Sequence, residues 1–373
     1  MKKTIAPLNK KRNSTIDLLK FVFSIVIVLH HSYLLEGVEK THGIFLSGVS
    51  SIDFFFITAG FFMAATIVKN STTPHIDGLG SETVLFLRKR ISPIFPYVLF
   101  GFVTTLISRM LIQGSSYINS THELLGTFWE ISFLRMAGFK TTNVNNATWY
   151  LSAMFIAMFF LYPIVRKNLD LWMKALCPAT AIMIYGYIIA EFSSLRQPSS
   201  FWCGVAYKGL LRAFAGLMLG IGIYALCQKF KSTKFKPLFM WFFSLTEWSC
   251  YALAIIIMFR FEKNYYDCFV ILLFAIGITI TCSGHSALSN KINFKFANTL
   301  GKFSTVLYLN HYLFTFITPA ITSRFLPGAS YQTIILIYFA ISISWSSIVM
   351  LLVENFSKIH LFRKMIDKIT ITE

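Results

Sequence analysis

The sequence predicts an all-α polytopic membrane protein, a bundle of about ten transmembrane helices with both termini on the inner side. Three observations carry this. Hydrophobic residues make up 55% of the 373 residues and charged residues 13%, with a mean hydropathy of +0.62, whereas a soluble domain carries roughly 25% charged residues. Apolar runs of about 20 residues, the length that crosses a bilayer, recur along the whole chain. Of the 34 Lys and Arg, 23 fall on one alternating set of connecting segments and 8 on the other, with Lys20, Arg109 and Arg212 inside runs. That bias fixes the N-in, C-in orientation and an even number of spans.

The first run, 15–35, follows Lys2, Lys3, Lys10, Lys11 and Arg12. It is too long for the core of a cleaved signal, and Glu36 and Lys40 follow it where a cleavage site needs small residues. Residues 1–14 therefore read as a basic inner tail. The runs 47–68 and 92–112 come next, separated by an inner segment that ends in Arg88, Lys89 and Arg90. The longest outer segment, 113–148, contains a mixed stretch at 122–137, with Leu124, Leu125, Phe128 and Trp129 among Glu123, Glu130 and Arg135. This stretch predicts either an amphipathic helix on the outer surface or a lid packed over the bundle. Sequons stand at Asn119 and Asn146 in the same segment. The remaining runs are 149–165, 175–191, 209–227, 238–259, 267–284, 303–321 and 333–353; the first, second and fifth of these are short. Gly216 and Gly220 lie four apart, the spacing that lets membrane helices approach closely. Residues 15–356 read as one membrane domain and 357–373 as a second basic inner tail.

A formal charge of +18 suggests nucleic acid at first sight. The basic residues, however, sit in short clusters between apolar runs, without the aromatic interleaving of a nucleic-acid platform. Cys177, Cys203, Cys227, Cys250, Cys268 and Cys282 show no metal-ligand spacing and read as small buried hydrophobes.

Ionisable groups inside spans cost several kcal/mol unless paired or hydrated, which makes them the default functional candidates. They are Asp17, Lys20, His30, His31, Asp53, Arg109, Arg212 and His311, with Glu354 at an inner end. Lys20 and His31 are eleven residues apart, about three helical turns, so both project from one face some ~16 Å apart, with Asp17 near the same stripe. Asp53 opens the second run at a depth matching His31. A carboxylate there predicts a partner that orients the imidazole of a general base. His311 reads either as a site residue or as a structural hydrogen bond. Arg109 and Arg212 read as structural side chains that snorkel outward. Arg88 and Arg90 read either as a positive-inside anchor or as a phosphate clamp. There is no G-x-S-x-G, no Walker loop and no H-E-x-x-H.

Several segments, in order, resemble the acyltransferase-3 family of bacterial multi-span enzymes that acylate surface glycans. They are Asp17 to Phe21 with Leu29-His30-His31-Ser32, Ser51 to Phe61 around Asp53-Phe54-Phe55, and Arg88-Lys89-Arg90 through Pro96-Tyr97. Further matches are Trp149-Tyr150-Leu151 with Tyr162-Pro163, Leu300 to Ser304 through Tyr308-Leu309-Asn310-His311, and Val353-Glu354-Asn355. Three positions depart from the family pattern: Lys20 for Arg, Ala59 for Ser and Pro93 for Arg. Lys20 keeps the charge but loses the planar fork of Arg. The resemblance implies O-acyl transfer, with acetyl-CoA as donor on the cytoplasmic side, a glycan or lipid-linked saccharide hydroxyl as acceptor, and no metal. It implies His31, Asp53 and His311 as the catalytic group, Lys20, Arg88 and Arg90 as donor-binding groups, and the bacterial cytoplasmic membrane as the location. The rival reading from another class is a transporter or flippase, since intramembrane charge along one face also suits a pathway.

Overall fold

The computed structural model describes residues 13–39, 43–72, 78–113, 121–199, 206–261, 266–292 and 295–358. Most of the two basic tails, Lys40, the sequon at Asn119, Cys203 and Lys263 lie outside the described residues. The elements, in chain order, are helices α1 (Ser14–His30), α2 (Ser51–Asn70), α3 (Gly78–Ile91), α4 (Phe95–Gln113), α5 (Thr121–Ile131), α6 (Thr148–Lys167), α7 (Leu169–Leu171), α8 (Cys177–Phe192), α9 (Lys208–Lys231), α10 (Pro237–Arg260), α11 (Tyr266–Ser283), α12 (Ala287–Lys291), α13 (Lys295–Asn310), α14 (Phe314–Phe325) and α15 (Tyr331–Lys358). No β-strand occurs among the described residues. A π turn, Trp172–Leu176, joins α7 to α8.

Nine helical segments among the described residues are long and apolar enough to cross a membrane. They coincide with nine of the ten expected runs and include all three short ones. The exception is 303–321, which is two helices, α13 and α14, joined by a 3-10 turn at His311–Leu313. Side-chain competition for the backbone accounts for the break. Asn310 Nδ2 donates to Val306 O at 2.8 Å and His311 Nδ1 meets Leu307 O at 3.2 Å, each four residues back. Helix α1 ends in the same way, with a 3-10 turn at His31–Leu34.

Helices α2, α6 and α9 form the most buried part of the bundle. Helices α8, α10 and α15 turn side chains such as Ile182, Leu238 and Leu336 outward, an apolar surface suited to lipid. Two close approaches fix the centre. A Cβ at Gly60 would collide with Leu217 O, and one at Gly220 with Ile57 O, so α2 and α9 meet backbone to backbone. This is the packing expected from the small residues of the sixth run. Likewise a Cβ at Gly301 would collide with the Asp17 carboxylate. Helices α1 and α13 therefore run side by side in the same direction. Fourteen residues on from Asp17 is His31, and ten residues on from Gly301 is His311, so both chains carry their histidine to the same end of the bundle.

The segment between α4 and α6 combines the two readings made of it. Helix α5 stops at Ile131 rather than continuing to 137, because Phe133 turns into the left-handed region (φ 59°). Leu124, Leu125 and Phe128 are exposed, while Glu130 is buried and pins the returning loop. Cys177, Cys227, Cys250 and Cys282 are buried as expected, but Cys268 is exposed.

Candidate active site

His31 and His311, each opening a 3-10 turn, face one another with His31 Nδ1 to His311 Nε2 at 3.0 Å. His31 Nδ1 also lies 3.0 Å from Ile27 O, and His311 Nδ1 lies 3.2 Å from Leu307 O. Carbonyl oxygens only accept, so in the neutral pair both Nδ1 atoms carry hydrogen. His311 Nε2 is then an acceptor, the Nδ1–H of His31 is shared between it and Ile27 O, and His31 Nε2 keeps its lone pair. The arrangement holds one imidazole as a base, with a second imidazole and a carbonyl behind it to stabilise the cation it becomes. His30 takes the structural option: its Nδ1 meets Phe45 O at 2.8 Å. Tyr308 lies beside His311 and Tyr312 beside His31, with ring centroids 5.9 and 6.1 Å away.

The carboxylate expected behind His31 is elsewhere. Asp53 Oδ2 accepts from Arg212 Nη2 at 2.6 Å, and Oδ1 accepts from Arg212 Nε at 3.1 Å and Tyr185 OH at 2.8 Å. Both residues are fully buried. The expectation that Arg212 snorkels outward is likewise overturned, since its other donors reach Leu195 O and Val49 O at 3.0 and 2.8 Å. A bidentate guanidinium saturates a carboxylate more completely than an imidazole can, which is why matched depth did not bring Asp53 to His31. Depth admits Arg212 equally well, a signal the sequence reading did not use: Asp53 and Arg212 each lie a few residues inside the histidine-end start of their helices.

A cleft of about 240 Å³ opens between α1, α2, α3, α6 and α13, reaching from Lys20 and Arg90 to Ile52, Tyr150 and Leu309 near the histidine end. Lys20 and Arg90 are among its walls, and Tyr150 and Tyr308 line it as well. Lys20 Nζ sits 5.3 Å above the Phe62 ring. The Arg90 guanidinium stacks 5.2 Å above Phe86 and donates to Thr66 Oγ1 at 3.3 Å. Burial lowers its pKa from the usual range. Helix α3 is held in place by Glu82, which accepts from Tyr162 OH at 2.6 Å and from Arg166 Nε at 3.1 Å. Arg88 is half-buried on the same helix but does not line the cleft. Tyr150 and Tyr308, both in the cleft wall, pack edge to face with centroids 5.6 Å apart, and Tyr308 also packs against His311. Sequence matching named both tyrosines without a role; their contact depends on α6 and α13 meeting, which no local pattern encodes.

On the histidine end the loop before α6 is clasped. Glu130 accepts from Val144 N and Asn145 N, both at 2.8 Å, and from Thr148 Oγ1 at 3.1 Å. Burial raises its pKa above the ordinary glutamate value. Asn145 Nδ2 then donates to Leu309 O at 2.9 Å, and Tyr308 OH to Ala147 O at 2.8 Å.

An all-helical multi-pass bundle with a paired imidazole site and a cleft walled by Lys20 and Arg90 is an arrangement suited to group transfer within a membrane. A family model described as an acyltransferase domain matches residues 13–351, nearly the whole chain, and the protein belongs to that family, acyltransferase-3. No curated protein and no solved structure matches the chain.

Proposed function

We propose that this acyltransferase moves an acetyl group from acetyl-CoA to a hydroxyl of a cell-surface glycan, across the cytoplasmic membrane of a bacterium. In this reading the basic end and both termini face the cytoplasm, in line with the skewed Lys and Arg distribution. The donor's phosphates approach Lys20 and Arg90, with Arg88 at the approach, and its acyl arm enters the cleft toward Tyr150 and Tyr308. The acceptor comes from the histidine end. His31 Nε2 takes the proton of the acceptor hydroxyl as its oxygen bonds to the acyl carbonyl carbon. The C–S bond then breaks, and the CoA thiolate leaves and takes up a proton. His311 orients His31 and shares the positive charge that develops. Asp53 supports the site at one remove, by fixing α2 against α9.

The observation that carries this reading is the His31–His311 contact at 3.0 Å, with Tyr308 packed against His311 and also lining the cleft that holds Lys20 and Arg90. The test is purified protein with radiolabelled acetyl-CoA and isolated surface glycan. Label passes to the sugar with the wild-type chain, and His31→Ala lowers the rate by about 10²–10⁴-fold, the usual span for a lost general base. Full transfer by that variant removes the mechanism. Translocation of a lipid-linked sugar with no label transfer would instead support a flippase.

A further inference from the structure

One cation at the histidine end is left without an equal partner. Arg135 opens the 3-10 turn Arg135–Ala137 and is only 4% exposed. Its Nη2 donates to Asn146 Oδ1 at 2.6 Å and to Ser199 Oγ at 3.4 Å, both neutral acceptors. Its Nη1 is buried with no hydrogen-bond partner among the described residues. The acid within its electrostatic reach, Glu130, is already engaged by two backbone N–H groups and a threonine hydroxyl. The other groups its charge reaches are Tyr308, Tyr312 and Tyr207. Tyr308 and Tyr312 are the rings against His311 and His31.

A buried guanidinium N–H aimed at no protein acceptor is costly, so its oxygen is supplied by a water or a ligand, and a charged ligand oxygen supplies it best. The planar fork of Arg matches carboxylate and phosphate, and is used where such groups are recognised. The position fixes which substrate it meets. Arg135 stands in the segment between α5 and α6, within electrostatic reach of the Tyr308 and Tyr312 rings that flank the imidazole pair, and is not among the walls of the Lys20 and Arg90 cleft.

We infer that Arg135 docks an anionic oxygen, carboxylate or phosphate, carried by the acceptor saccharide, and so selects acidic sugars. This rests on the acyl-transfer reading for the word acceptor. Arg135 is a specificity residue and takes no proton.

The test uses the full chain in detergent. Saturation-transfer NMR follows binding of glucuronic acid, glucose 6-phosphate and glucose. At least one acidic sugar binds tenfold or more tightly than glucose, and which of the two does so separates carboxylate from phosphate recognition. Arg135→Gln erases that advantage, and Arg135→Lys, which keeps the charge and most of the packing, retains part of it; melting temperatures confirm that both variants are folded. Equal binding of the three sugars, no binding of either acid, or an advantage that survives in Arg135→Gln overturns the inference. Label transfer from acetyl-CoA is measured on the same preparations. Acidic-sugar preference without transfer would sink the enzymatic reading and leave Arg135 standing, whereas transfer without preference would do the reverse.

Discussion

At the scale of single residues, the two imidazoles divide one task. His311 Nε2 accepts from His31, whose own Nε2 keeps its lone pair, so on the proposed reaction one variant removes the base and the other its support. On the proposed reaction, His311→Ala costs about as much as His31→Ala, and the double variant costs little more than the worse single one. Groups that act as a unit are strongly non-additive. Kinetics of the three variants check this, and multiplicative losses would separate the roles. Asp53 behaves differently. Removing one member of a buried ion pair strands the other, at a cost of about 3–5 kcal/mol. Asp53→Ala therefore lowers the yield and melting temperature of the folded protein, and whatever folds retains the wild-type pH profile of transfer. A pH profile displaced in the folded fraction would restore Asp53 as a partner of the base.

Elements set where those residues can be. The contact of α2 with α9 depends on Gly60 and Gly220, so Gly220→Leu pushes the helices apart and unseats Arg212 from Asp53. The expected outcome is loss of the folded protein on size-exclusion chromatography, against a benign Leu226→Val on the exposed face of α9. The cleft gives a milder test. Lys20→Gln removes a cation from the donor route and raises KM for acetyl-CoA roughly tenfold, with a smaller change in kcat, as expected for a group that binds ground state and transition state alike. A change in kcat alone would place Lys20 in the chemistry. Several of these elements were legible in the sequence. Nine of the spans and the glycine packing of α9 follow from apolar length and small-residue spacing. The break at His311 was not, because hydropathy averages over the turn where Asn310 and His311 redirect the backbone. The ion pair of Asp53 with Arg212 was missed because depth alone ranks partners equally, whereas hydrogen-bond geometry favours the guanidinium.

For the whole molecule, polarity is the organising property. The cleft cations Lys20 and Arg90 lie away from the imidazole pair, and no long soluble segment interrupts the bundle. Reporter fusions at the two termini, and a cysteine placed in the segment between α5 and α6, check the proposed orientation. Both termini report cytoplasmic and the cysteine is labelled from outside intact cells. A terminus reporting outside would reverse the direction proposed for the transfer. The family match covers the same residues as the bundle, so the reaction belongs to the entire helical assembly and not to an appended module.

The clasp at the histidine end has a mechanical corollary. Asn145 is bonded to the carbonyl two residues before His311, and the hydroxyl of Tyr308 is bonded back to Ala147. On the proposed reaction, a sugar pressing on that strap would pull on the joint between α13 and α14, making arrival of the acceptor and aim of the imidazole a single movement.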